Sequence, residues 1–167
     1  QHSVELRLEQ DGSTAHHNLT IDVLDTPLLG ATFPGAFTPF TSISAGDMVA
    51  CGVSIQSDLF CWGSAQYGLL AQGSLDKIGL AGSHTGLELQ PINLPGATTN
   101  VSVGKKHVCA ISGANLYCWG HPQYGRLGNG MSSTTQIFGD ESGEVDENMT
   151  AVNLGVSFTP VSVDVGE

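Results

Sequence analysis

The chain has 167 residues, of which 40% are hydrophobic and 13% charged, and it contains 22 glycines. This composition favours short strands joined by turns over amphipathic helices. Its 16 acidic residues against 5 Lys and Arg give a net charge of -11, which disfavours nucleic acid as a partner because phosphate backbones would be repelled. No apolar run approaches the roughly 18 residues of a membrane span.

Residues 1–40 combine an alternating segment with turn-forming residues. The sequence starts at Gln1 without an initiator methionine or a signal-peptide pattern, which we interpret as a processed end or a chosen start. Residues 2–8 alternate and then run to a glycine turn, as a strand does. The pair His16-His17 could bind a metal with a neighbouring acid, but its spacing matches no recognised motif, so we expect no metal there.

Two cysteine pairs lie in similar contexts, ACGVSIQSDLFCWG at residues 50–63 and VCAISGANLYCWG at residues 108–120. A three-residue turn centred on Gln56 in the first stretch, and a two-residue turn at Gly113-Ala114 in the second, would place the cysteines directly opposite each other. Opposed Cα atoms lie about 4.5–5.5 Å apart, within disulfide range. The alternative is a metal site or reduced core cysteines, but no CxxC spacing occurs. We therefore expect two disulfides and an oxidising compartment: Cys51–Cys61 and Cys109–Cys118.

Three N-x-S/T sequons indicate the same compartment. They begin at Asn18, Asn100 and Asn148. We expect all three to carry N-linked glycans and to face solvent, although ordinary polar loop asparagines are the alternative for any one of them. Together with the cysteines, they predict an extracellular or cell-surface glycoprotein.

The sequence contains an internal repeat. Residues 43–73 align with residues 101–130, with an offset of 58 before the hairpin turn and 57 after it. A turn that is one residue shorter in the second copy explains the change of offset. The matched pairs are Gly46 and Gly104, Cys51 and Cys109, Trp62 and Trp119, Gly63 and Gly120, and Tyr67 and Tyr124.

The second copy follows the pattern V-x-x-G-x-x-H-x-C-A-[IL]…G-x-L-Y-C-W-G-x-x-x-Y-G-R-L-G. This pattern resembles the regulator-of-chromosome-condensation repeat in its cysteine-bearing extracellular or bacterial-type form. The first copy departs from it at residues 47–49 and 69–71. The resemblance implies an all-β fold of propeller-type antiparallel blades with about four strands each. Trp62 and Trp119 are then expected to fill the space between adjacent blades.

We expect about three blades: residues 41–99, residues 100–160, and a shorter third blade of residues 161–167 plus 1–40. If Gln1 is placed after Glu167, Gly166 aligns with Gly104 and His2 with His107. Three blades are too few to close a ring, since propellers typically use four to eight. The third blade would then be completed across the termini or between units and continued by neighbouring copies, as a six-blade ring or as an array.

No nucleophile, base and orienting group occur in a recognised catalytic motif, so we expect no enzyme and no cofactor. A structural role is expected for His2 and His107, which occupy matching repeat positions. We interpret the acidic segment 139–148 as a solvated loop and not as a weak Ca²⁺ site, because it lacks the EF-hand spacing.

Two functions are compatible with these features. The first is a structural extracellular glycoprotein whose copies associate into a tandem-repeat fibre or surface coat. The alternative is a secreted β-propeller module that binds a protein partner.

Overall fold

The computed structural model describes residues 39–79, 89–132 and 135–166, all within the unit Gly35–Glu167. These residues form two three-stranded antiparallel sheets. Apart from short 3₁₀ turns, the described ranges contain no helix. The expected all-β class and its propeller-type antiparallel blades are confirmed.

Each sheet is one blade with its strands in chain order. Blade one consists of β1 (Phe40–Ala45), β2 (Val49–Ser54) and β3 (Leu59–Gly63). Blade two consists of β4 (Thr98–Val103), β5 (His107–Ser112) and β6 (Asn115–Gly120). In both blades the middle strand pairs with the first and the third.

The two outer hairpins have the turns that the sequence predicted. In blade one, Ser54 N donates to Asp58 O around a three-residue turn, and Ser54 Oγ accepts from the amides of Gln56 and Asp58 at 3.2 and 3.1 Å. In blade two, Gly113 and Ala114 both have positive φ, at 55° and 68°, as a type I′ turn requires. The difference in turn length accounts for the change of offset between the copies.

The fourth strand that the resemblance implied is reduced to two contacts beside each outer strand. In blade one, Gly63 exchanges backbone hydrogen bonds with Ile78 and Leu59 O accepts from Ile92 N. Blade two has the same two contacts. Gly120 exchanges backbone hydrogen bonds with Phe138, and Val152 N donates to Leu116 O. Each described blade therefore has three continuous strands and an interrupted fourth position.

The main hydrophobic core lies between the two sheets. It contains the disulfide Cys51–Cys61 and other buried residues of blade one. It also contains buried residues of β4, β5 and β6 of blade two, among them Trp119. A glycine ends each outer strand because the backbone there needs positive φ, at 114° in Gly63 and 115° in Gly120. A Cβ atom at Gly120 would also lie 2.5 Å from Lys106 O.

Candidate functional site

The inner strands of successive blades are joined by a side-chain-to-backbone hydrogen bond. Val103 N in β4 donates to Ser44 Oγ in β1 at 3.0 Å. The equivalent bond joins β4 to residues 161–166, where Val165 N donates to Ser102 Oγ at 3.1 Å. Ser102 Oγ in turn donates to Asp164 Oδ1 at 3.3 Å. Residues 161–166 therefore contact β4 in the way that β4 contacts β1. The third blade expected from residues 161–167 and 1–40 stays a prediction, because residues 1–38 lie outside the described residues.

Glycines at the ends of these three strands approach each other in the same repeating way. A Cβ atom at Gly46 would lie 2.5 Å from Gly104 O, and a Cβ at Gly104 would lie 2.5 Å from Gly166 O. A pocket of about 350 Å³ lies at this end, lined by the glycines and by the oppositely charged Asp47 and Lys105. The pocket marks the end at which the three inner strands lie side by side.

Both disulfides are present, and each faces the next blade. They join directly opposed residues, Cys51 to Cys61 and Cys109 to Cys118, with Cα atoms 4.1 Å apart. The first pair shares a buried cluster with residues of β4. The second forms a cluster with Leu127, on which Val163 and Val165 pack. The cross-links thus stiffen the surfaces on which the following inner strand lies.

Trp119 provides the deepest contact between the blades. Its indole is fully buried, and Nε1 donates to Leu69 O of blade one at 3.1 Å. The expected packing of Trp119 between blades is confirmed. Trp62 is half-buried, and its ring lies 5.7 Å from Phe40 of its own blade. Its expected packing between blades stays a prediction, because residues 1–38 lie outside the described residues.

The turn Gln66–Gly68, which follows β3, contacts blade two. Tyr67 has a positive φ of 62°, and its ring lies edge-on to His121 at 5.4 Å with Lys106 Nζ 5.4 Å above it. A Cβ atom at Gly68 would lie 2.8 Å from the backbone of Asp140. This turn is therefore an occupied contact surface between blades, which we call the blade-one contact turn.

The equivalent turn of blade two, residues 123–125, is open in the part of the chain that the structure describes. Tyr124 has almost the same backbone conformation as Tyr67, with φ 64°, but its side chain is 84% exposed. Among the described residues, Arg126 of the same turn approaches its ring, at 5.8 Å from Cζ to the ring centroid. A Cβ atom at Gly125 or Gly130 would meet nothing within 4 Å. We call residues 123–125 the open turn.

His107 is buried at the start of β5, where blade one has Val49. Its Nδ1 has no hydrogen-bond partner among the described residues, so the expected structural role is packing and not a bond from this atom to the backbone. Burial lowers the pKa of His107, and the nearby positive charge of Arg126 lowers it further. The imidazole is therefore held in its neutral form.

The acidic loop uses its carboxylates to hold its own backbone. Glu144 Oε2 accepts from the amides of Gly139 and Glu141 at 2.8 and 3.1 Å, and Asp146 Oδ1 accepts from Asn148 N at 2.8 Å. Within the described ranges, no group of three or more His, Cys, Asp or Glu residues is arranged to hold a metal ion. Two of the five carboxylates in this loop, those of Glu144 and Asp146, thus bond to its own backbone.

The sequons differ in exposure. Asn148 is exposed in a turn. Asn100 lies half-buried on β4, and its Oδ1 is buried without a hydrogen-bond partner among the described residues. The expectation that Asn100 faces solvent was therefore wrong in part, because an inner strand lies between blades. Asn18 lies outside the described residues.

No described helix is long and apolar enough to cross a membrane. No protein-family model matches the sequence. Human E3 ubiquitin-protein ligase HERC2 is 26% identical over 113 residues, and its mouse counterpart gives the same values. The match covers 65% of this chain and 2% of HERC2.

Several solved structures are also similar. Prp20p of Saccharomyces cerevisiae, described with its binding to Gsp1p and histones, is 16% identical, with a TM-score of 0.48, covering 89% of this chain and 31% of Prp20p. Yeast RCC1 (Prp20) bound to Kap60 is 18% identical, with a TM-score of 0.48, covering 72% and 26% of the two chains. Human WBSCR16 is 19% identical, with a TM-score of 0.42, covering 60% of this chain and 25% of WBSCR16. This chain thus spans a third or less of each of these proteins.

Proposed function

We propose that this chain is an extracellular, glycosylated propeller-type module that binds another protein chain through the open face of blade two. The observation that carries the proposal is the contrast between Tyr67 and Tyr124. The first contacts the next blade, whereas the second has the same conformation and is 84% exposed. A buried aromatic anchor is what a protein interface needs, and tyrosine is enriched in such anchors. The proposal assigns no catalytic role.

The backbone of the open turn supports the proposal. A non-glycine residue at positive φ stores strain, which persists only where the surrounding structure holds it. Tyr67 shows what this conformation provides when a partner is present: a ring directed at a histidine and a lysine. Tyr124 presents the same ring before any partner binds, so little conformational entropy is lost on binding.

The two disulfides and the exposed sequon at Asn148 support the extracellular part of the proposal. Disulfides persist in oxidising compartments, and N-glycans are added only to proteins that enter the secretory route.

Tyr124→Ala tests the binding role. We expect it to abolish the cross-linking of this chain to partner chains in the extracellular fraction of its source, identified by mass spectrometry. The matched control is Ile55→Ala, which removes a 58% exposed apolar side chain from the hairpin turn of blade one. Equal cross-linking by both variants and the wild type would overturn the proposal.

A structural fibre or coat is the second candidate function, and one observation favours it. The bond from Val103 N to Ser44 Oγ is repeated by Val165 N and Ser102 Oγ, so the described residues already contain two successive steps of one repeating contact. Light scattering after size-exclusion chromatography, followed by electron microscopy, tests this candidate. Long polymers are expected from a fibre, and discrete particles at every concentration would contradict it.

A further inference from the structure

The segment that follows the open turn contains the single Asn-Gly pair of the sequence, Asn129-Gly130. Asn129 is half-buried and Gly130 is exposed. In such a pair the side-chain amide can react with the next backbone nitrogen, because glycine has no Cβ atom to obstruct the approach. Whether the pair reacts in the folded chain depends on how the structure holds these two groups.

The side-chain carbonyl of Asn129 is held against the backbone that follows it. Its Oδ1 accepts a hydrogen bond from Met131 N at 3.0 Å, and its Nδ2 lies 3.3 Å from Met131 Sδ. The first of these bonds closes an Asx turn around Gly130. The same donor stabilises the negative charge that develops on Oδ1 when a nucleophile attacks Cγ. The carbonyl is therefore oriented and polarised for attack.

The backbone nitrogen of Gly130 is free to make that attack. It donates no hydrogen bond to the described residues. Gly130 has a positive φ of 84°, and a Cβ atom there would meet nothing within 4 Å. This open space leaves room for a five-membered ring and for a water molecule.

From this geometry we propose that Asn129 is a site of spontaneous deamidation in the folded protein. Gly130 N loses its proton to base and forms a bond to Asn129 Cγ, and the side-chain nitrogen leaves as ammonia. The product is a cyclic succinimide. Water then adds to one of its two carbonyls and opens the ring, giving aspartate or isoaspartate. The net reaction consumes one water and releases one ammonia, and the attack is fast because both reacting groups are held in one turn.

Asn153 has the same Asx turn with a different following residue. Its Oδ1 accepts a hydrogen bond from Gly155 N at 2.9 Å, but the residue between them is Leu154. The Cβ atom and branched side chain of leucine obstruct the approach of the backbone nitrogen. Asn153 should therefore be stable, and it separates the effect of Gly130 from the effect of the turn.

Blade one has the glycine but not the asparagine. Gln72 stands at the position of Asn129, and Gly73 follows it. Glutamine would have to close a six-membered ring, which is slower, and a Cβ atom at Gly73 would lie 2.8 Å from Ser142 Cα. The equivalent segment of blade one is thus chemically inert and enclosed, whereas that of blade two is reactive and open.

Deamidation would change the charge beside the open turn. Arg126 lies between this turn and Asn129, and its Nε donates to Gln123 O at 2.9 Å. Both products replace a neutral amide by a carboxylate that is ionised at pH 7. Isoaspartate also adds a methylene to the main chain, so the Asx turn to Met131 N is lost. An older chain would therefore differ from a newly made one in this segment.

Incubation of the folded full-length chain at neutral and mildly alkaline pH tests the proposal. The chain is then digested at acidic pH, and its peptides are analysed by mass spectrometry with enzymatic methylation of isoaspartate. We expect Asn129 to convert at least about tenfold faster than Asn153, with isoaspartate in excess over aspartate. The rate should rise with pH, because the attacking nitrogen must lose its proton. Asn129→Gln, which copies blade one, should remain unmodified at this position.

The same incubation in concentrated urea gives the rate for the unfolded chain. A folded chain that converts as fast as the unfolded chain, or faster, supports the proposal. Slower conversion in the folded chain would show that the turn protects Asn129 and would overturn it, as would equal rates at Asn129 and Asn153. No partner protein is present in this experiment, so its result is independent of the binding test with Tyr124→Ala.

Discussion

Replacing Trp119 by Phe measures how strongly the two blades are joined. The indole is fully buried and its Nε1 donates to Leu69 O at 3.1 Å. Phenylalanine cannot donate, so the carbonyl of Leu69, a residue that is only 4% exposed, loses this partner. A buried polar group left without a hydrogen bond costs about 1–3 kcal/mol. The smaller ring also leaves a void, which costs about 1 kcal/mol.

We therefore expect Trp119→Phe to lower the free energy of unfolding by about 2–4 kcal/mol. Trp62→Phe is the matched control, because Trp62 is half-buried and its indole makes no hydrogen bond to the described residues. Its cost should be at most about 1 kcal/mol. Urea unfolding followed by circular dichroism gives both values from the midpoint, provided the slope is unchanged. Equal costs for the two variants would refute the assignment of Trp119 as the main link.

Three further outcomes are expected. Peptide mapping without reduction should recover Cys51–Cys61 and Cys109–Cys118, whereas a Cys51–Cys109 peptide would contradict the strand register. Because the pKa of His107 is lowered in the folded state, the unfolded chain binds this proton first as the pH falls, so stability should decrease below about pH 6.5. His107→Val, which copies blade one, should make unfolding measured between pH 7 and 5 less pH-dependent, and an unchanged slope would contradict this. Glycopeptide mass spectrometry should find higher occupancy at Asn148 than at Asn100, because Asn100 is half-buried, and the reverse order would be inconsistent with the fold.

The hairpins and disulfides could be predicted from the sequence because they depend on local counting. Strand side chains alternate with period two, so the length of a turn determines which cysteines are opposed. Because residues 109–118 repeat the pattern of residues 51–61, the same disulfide prediction applied to both.

Contacts between blades could not be predicted in the same way. The different environments of Trp62 and Trp119 depend on which surface lies beside each ring. Both residues occupy the same position of the repeat pattern, so the sequence does not distinguish them. The exposure of Tyr124 was missed for the same reason, although its match to Tyr67 could have directed attention to it.

The inner-strand contact also determines how a row of blades curves. In this contact the spacing of neighbouring strands depends on the short side chain of Ser44 or Ser102, and small rotations per repeat set the curvature of a repeat protein. Asp164 stands at the equivalent position, and its carboxylate oxygens lie one bond further from the backbone than a serine Oγ. A blade held by Asp164 would sit further from its neighbour than blade two sits from blade one. An assembly built from this unit would then bend unevenly, with one wider step for every two narrow ones.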